Sequence, residues 1–119
     1  MVAPDPPLPL SDREYLQRAN AVLAAVEATV DRWLQDDLID IDSHRTGGLL
    51  ELELPDRSKI VINTQPPLQE LWLASRAAGH HFRWAGERWV DTKDGSEFFA
   101  TLSAHASAQG GRPLRFEAP

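Results

Sequence analysis

From Tyr15 onward, apolar residues return at steps of three and four: Tyr15, Ala19, Val22, Val26, Val30 and Trp33. That spacing puts them on one face of an α-helix and predicts an amphipathic helix ending near Leu34. Leu16 and Leu23 widen the stripe, while Arg13, Gln17, Asn20, Glu27 and Asp31 fill the opposite side. The start is marked by Ser11-Asp12-Arg13-Glu14. This is a capping box: Ser11 accepts from the Glu14 amide, Glu14 reaches back to the Ser11 amide, and Leu10 and Tyr15 supply the accompanying staple.

Past this helix the period drops to two. In Asp36 to Asp42, Ile39 and Ile41 fall on one face and Asp40 and Asp42 on the other, predicting an edge strand with an acidic outer row. Ser43 to Gly48 is predicted as the hairpin loop, with Gly47 and Gly48 able to take positive φ. Leu50, Leu52 and Leu54 then alternate with Glu51 and Glu53, and Pro55-Asp56-Arg57 turns into a third strand. There Ile60 and Ile62 share one face while Val61 and Asn63 share the other. Pro66 and Pro67 turn the chain again, with Pro67 opening a fourth strand whose Leu71 and Leu73 face one way. His80 to Trp84 and Glu87 to Asp91 follow, linked by Ala85-Gly86. Asp94-Gly95-Ser96-Glu97 starts a second helix with Phe98, Phe99, Leu102 and Ala106 as its apolar face, Gly110-Gly111 stops it, and Leu114 and Phe116 suit a short seventh strand. Successive strands joined by short turns predict an antiparallel meander. Helices at both ends cover the same face, giving an α+β two-layer sandwich: two terminal helices on an antiparallel sheet of six to seven strands, with the other face open.

Composition narrows the reading to one domain over residues 11–117. The 119 residues are 42% hydrophobic and include no cysteine, which excludes disulfides and a cysteine-bound iron–sulfur cluster. No apolar run approaches the roughly 20 residues of a membrane span. Met1 to Leu10 holds four prolines and neither a basic leader nor a continuous apolar region, so a disordered tail rather than a signal or transit peptide is expected, with a cytoplasmic location and a monomeric chain. The formal charge of -6 is unevenly placed, with nine acids and three bases in residues 1–42 and nine of each in residues 43–119. Nucleic acid is a poor partner for such a surface.

A solvated acidic face is the ordinary explanation of that bias. Yet Glu27 and Asp31, four apart on one helix surface, repel by about 0.2–0.5 kcal/mol, which stability alone does not ask for. Together with Asp36, Asp37, Asp40 and Asp42 they can converge into one acidic ridge. Oxygen ligands of that kind suit hard cations, and iron accepts carboxylates, although no cage is evident. His44 lies near Asp42 and can join such a site. His80 and His81, adjacent on a strand, point to opposite faces and cannot readily chelate one ion, so they read as ordinary strand histidines. There is no nucleophile motif, phosphate loop or zinc spacing, and an enzyme is the minority reading. Trp72 is pushed outward between Glu70 and Ala74, where it either lies flat on the open sheet face or is covered by a partner.

The run Asn63-x-Gln65-x-Pro67-x-Gln69-x-Leu71-Trp72-Leu73-Ala74 closely resembles the signature of the frataxin family in its bacterial branch. The resemblance extends from about Ser11 to Phe116 and takes in a long acidic first helix, an acidic first strand, a Gly-Gly hairpin and aromatics in the later strands. It implies the frataxin fold and weak iron binding on the ridge of Glu27, Asp31, Asp36, Asp37, Asp40 and Asp42. It also implies docking, through the ridge and an exposed face bearing Asn63, Gln65, Gln69 and Trp72, on the cysteine desulfurase and scaffold protein of iron–sulfur cluster assembly. Ala28 and Arg32 stand where relatives often carry further acids, so fewer or weaker iron sites are implied. Two functional classes follow: a binding and regulatory module, or an iron enzyme or store with ferroxidase-like oxidation or mineralisation. Redox catalysis needs a held metal with open positions, whereas a ridge offers only exposed oxygens, and this favours the module.

Overall fold

The computed structural model describes residues 10–119. The expected disordered tail over residues 1–10 lies, Leu10 apart, outside the described residues, and Leu10 is half-buried against the core. Helix α1 runs Asp12–Gln35, and Ser11 caps it by accepting from the Glu14 amide. The other half of the capping box differs from expectation, because the Glu14 carboxylate accepts from the Ser11 hydroxyl at 2.9 Å. The buried face comprises Tyr15, Ala19, Val22, Leu23, Val26 and Val30. Leu16, expected to widen that stripe, is 44% exposed because it lies on the solvent side of the helix.

Six antiparallel strands follow in the order of the sequence: β1 Asp42–Thr46, β2 Leu49–Glu53, β3 Lys59–Gln65, β4 Glu70–Ala74, β5 Gly79–Trp84 and β6 Trp89–Asp91. Helix α2, Phe98–Gly110, closes the layer with α1. Leu50, Leu52, Ile60, Ile62, Leu71, Leu73, Phe82 and Trp89 alternate onto the sheet face under the helices and join α1 and α2 in one core. Among the described residues the opposite face carries no helix, so the two-layer sandwich expected from the pattern is the observed fold.

Besides the last strand, which spans Trp89–Asp91 rather than Glu87 to Asp91, three boundaries differ from the sequence reading. The first strand begins at Asp42, not in Asp36 to Ile41, because Asp36 and Asp37 are used to end α1. Asp37 takes a left-handed φ of 56°. Its amide donates to the Leu34 carbonyl and that of Leu38 to the Trp33 carbonyl, which together form a Schellman cap. Ile39 and Ile41 are still buried, but on an extended connector. The expected loop of Ser43 to Gly48 shrinks to Gly47-Gly48, since Ser43 to Thr46 pair with Leu49 to Leu52. Similarly, β4 opens at Glu70 rather than Pro67, after a 3-10 turn at Pro66–Leu68. Proline has no amide to give to a ladder.

The expected seventh strand is absent among the described residues. Leu114 and Phe116 are buried, at 5% and 3% exposure, but they run beside α2, whose backbone groups are already paired within the helix. Side chains replace the ladder: Ser107 Oγ accepts from the Leu114 amide and donates to its carbonyl, and Ser103 Oγ accepts from the Phe116 amide. Phe116 then tilts against Trp33 of α1 with ring centroids 4.7 Å apart.

Candidate functional site

The acidic residues at the α1 and β1 end are exposed, except Glu27, which is half-buried. Asp31 stands on the last turns of α1, Asp36 and Asp37 in its cap, Asp40 on the connector and Asp42 at the start of β1. Glu27 is not free: its Oε1 lies 3.0 Å from Arg45 Nη1, and Arg45 Nη2 donates to Asn20 Oδ1 at 2.9 Å. This link from α1 to β1 answers the Glu27 charge across the strand. Among the described residues no three His, Cys, Asp or Glu side chains gather in an arrangement able to hold a metal ion. His44, also exposed, adds no third ligand.

On the open face, strand register lines up Leu49, Asn63, Trp72 and His81 across β2, β3, β4 and β5. The Trp72 indole lies flat on the His81 ring, with centroids 4.2 Å apart and planes within 6°. Its Nε1 donates to Glu70 Oε1 at 2.9 Å. Glu70, only 6% exposed although it sits on the open face, also accepts from Arg83 Nε at 3.1 Å. Trp72 thus roofs a carboxylate while the rest of its ring meets solvent, and Val61, Ala74 and Gly79 line the shallow hollow beside it. Asn63 pairs directly with Trp72, and Gln65 follows two residues along the same face. Gln69 is not brought to this patch: its backbone is left-handed at a φ of 52°, and its side-chain amide donates to the Leu10 carbonyl ahead of α1. Sequence reasoning passed over Glu70 and His81. The period-two pattern did place Glu70 beside Trp72, whereas the His81 stack depends on the β4–β5 register.

His80 and His81 do point to opposite faces. His80, on the helix side, meets a group that sequence spacing does not reveal. Its Nδ1 is 2.9 Å from Asp91 Oδ2 and its Nε2 is 3.1 Å from Nε2 of His105 on α2, while His105 Nδ1 is 3.0 Å from Ser75 Oγ. Burial works against the Asp91 charge, but the Lys93 amide, the His80 imidazole and the Asp94 amide together hold the carboxyl below its usual range. Burial, assisted by the neighbouring His80, pushes the His105 imidazole below its ordinary value.

No described helix is long and apolar enough to cross a membrane. The model of the frataxin-like domain matches residues 8–112. The chain is 50% identical over 109 residues to the iron-sulfur cluster assembly protein CyaY of Paraburkholderia xenovorans, covering 92% of this chain and 100% of that one. Against the protein of the same name from Polaromonas sp. it is 48% identical over 110 residues, covering 92% and 95%. The solved structure of frataxin from Psychromonas ingrahamii superposes with a TM-score of 0.79 at 31% identity, covering 91% of this chain and 99% of that one.

Proposed function

The chain belongs to the frataxin family, and from that premise we propose that it serves iron–sulfur cluster assembly as a regulatory adaptor rather than as a catalyst. Its partners in this reading are the cysteine desulfurase and the scaffold protein on which clusters form. The observation that carries the reading is the sheet face left bare by both helices, where Trp72 presents an anchored aromatic surface beside Asn63 and Gln65. An aromatic held in one rotamer loses little entropy on docking and is a common centre of binding energy. The acidic ridge supplies the complementary long-range attraction to a basic partner.

Iron fits this surface as a loosely held cargo and not as a resident cofactor. Glu27 is engaged by Arg45, and Asp31, Asp36, Asp37, Asp40 and Asp42 are exposed, with no group of three ligands converging among the described residues. Carboxylates that remain hydrated bind a hard cation weakly, at about micromolar affinity or poorer, on the order of 8 kcal/mol or less.

The test is sulfide production by a purified cysteine desulfurase with its scaffold, measured with and without this chain at saturating concentration. A clear change in rate, in either direction, is expected, and an unchanged rate would remove the proposal. Calorimetric titration with ferrous iron in the same preparation should show only weak binding. A tight site indifferent to Glu27→Gln with Asp31→Asn would place iron elsewhere.

A further inference from the structure

We propose that His80 and His105 form a second, separate site, one for a borderline divalent cation that favours imidazole, such as zinc, at the edge of the sandwich where β5 faces α2. Their Nε2 atoms are 3.1 Å apart. Two nitrogens each about 2.0–2.1 Å from one zinc ion, at angles between right and tetrahedral, are separated by about 2.9–3.4 Å. The rings therefore already stand at the spacing of two ligands on one ion, which would sit to the side of the line joining them.

Each ring is also oriented by what holds its other nitrogen. His80 Nδ1 faces Asp91, whose Oδ1 accepts from the Lys93 amide at 2.7 Å and from the Asp94 amide at 3.3 Å. A fixed carboxylate behind an imidazole sets its tautomer and makes the far nitrogen more basic, as behind many metal-bound histidines. His105 Nδ1 faces Ser75 Oγ. Asp91 acts through His80, and water completes the coordination on the open side, where the His80 side chain is 22% exposed.

The same contacts assign the protons. Ionised Asp91 can only accept, so His80 carries its proton on Nδ1 and leaves a lone pair on Nε2. His105 then donates from Nε2 to that lone pair, and its Nδ1 accepts from the Ser75 hydroxyl. A cation replaces the bridging proton. For His105 to turn a lone pair toward the metal, its proton moves from Nε2 to Nδ1 and Ser75 Oγ becomes the acceptor. The serine hydroxyl then has the Ala78 carbonyl, 3.3 Å away, as its own acceptor. Binding at neutral pH thus releases no net proton. Imidazole ligation also sets the preference, because copper, nickel and zinc outrank ferrous iron at nitrogen.

Zinc titrated calorimetrically into the full chain at pH 7.5 should fill one site of about micromolar affinity. The enthalpy should be the same in buffers of different ionisation enthalpy. His105→Gln and His80→Gln should each weaken binding at least tenfold, whereas His44→Gln and the pair Glu27→Gln with Asp31→Asn should not. Imidazole nitrogen resonances of the wild-type chain give a reading independent of how the variants fold. Zinc should shift those of His80 and His105 and leave His44 in place. Unchanged zinc affinity in a natively folded His105→Gln chain, or zinc shifts confined to His44 and His81, would overturn the proposal.

Discussion

The Tyr15 hydroxyl carries a structural duty out of proportion to its size. It donates to the Glu70 carbonyl at 2.6 Å and accepts from the Gln65 amide at 2.9 Å, tying α1 to the last facing pair of β3 and β4. The residue is 1% exposed, and burial pushes its pKa up. Tyr15→Phe keeps the ring and strips both backbone groups of their partner, so it should destabilise by about 1–3 kcal/mol in urea unfolding. A loss under about 0.5 kcal/mol, far from the cost of orphaned buried groups, would mean that water takes the hydroxyl's place. The same hydroxyl clamps both ends of the turn that carries the family signature to the helix.

At the scale of elements, the β1–β2 hairpin depends on Gly48 more than on Gly47. A Cβ on Gly48 would collide with Thr64 Oγ1, whereas one on Gly47 meets open space and only the strain of its φ of 58°. Gly48→Ala should therefore cost about 1–3 kcal/mol by overpacking, read by thermal unfolding, and Thr64→Ala in the same chain should recover much of it. If the double variant is no more stable than Gly48→Ala alone, the clash is not the cause. Periodicity made much of this architecture legible: α1 and the inward rows of Leu50 and Leu52, Ile60 and Ile62, and Leu71 and Leu73 follow from spacing alone. It failed where side chains or unusual backbone replace standard punctuation. Asp37 holds the cap position that glycine usually marks, and Ser103 and Ser107 stand in for a neighbouring strand beside Phe116 and Leu114. The outward position of Trp72 was legible for the same reason as the core. The contacts of Glu27 with Arg45 and of His80 with His105 were not, because each joins elements whose relative placement no local period encodes.

For the whole molecule, the acidic ridge and the Trp72 patch should act on different steps of docking. Raising salt shortens the Debye length from about 8 Å at physiological strength to about 3 Å at 1 M, which screens the ridge and spares apolar contact. Surface-binding kinetics on the desulfurase should show association slowing with salt, and the amide variant of Asp36, Asp37, Asp40 and Asp42 should associate slowly at all salts. Trp72→Ala should instead speed dissociation, weakening binding by about 2 kcal/mol, roughly thirtyfold. A salt-independent association rate would reduce the ridge to a solvated face. The two helices have a consequence of another kind, because they come from opposite ends of the domain. The apolar rows of β2, β3 and β4 are finished in a growing chain before α2 has been made to lie over them. On the ribosome, the nascent protein passes through an interval in which these rows lack the cover of α2, and apolar surface exposed in that way favours association with chaperones or with neighbouring chains.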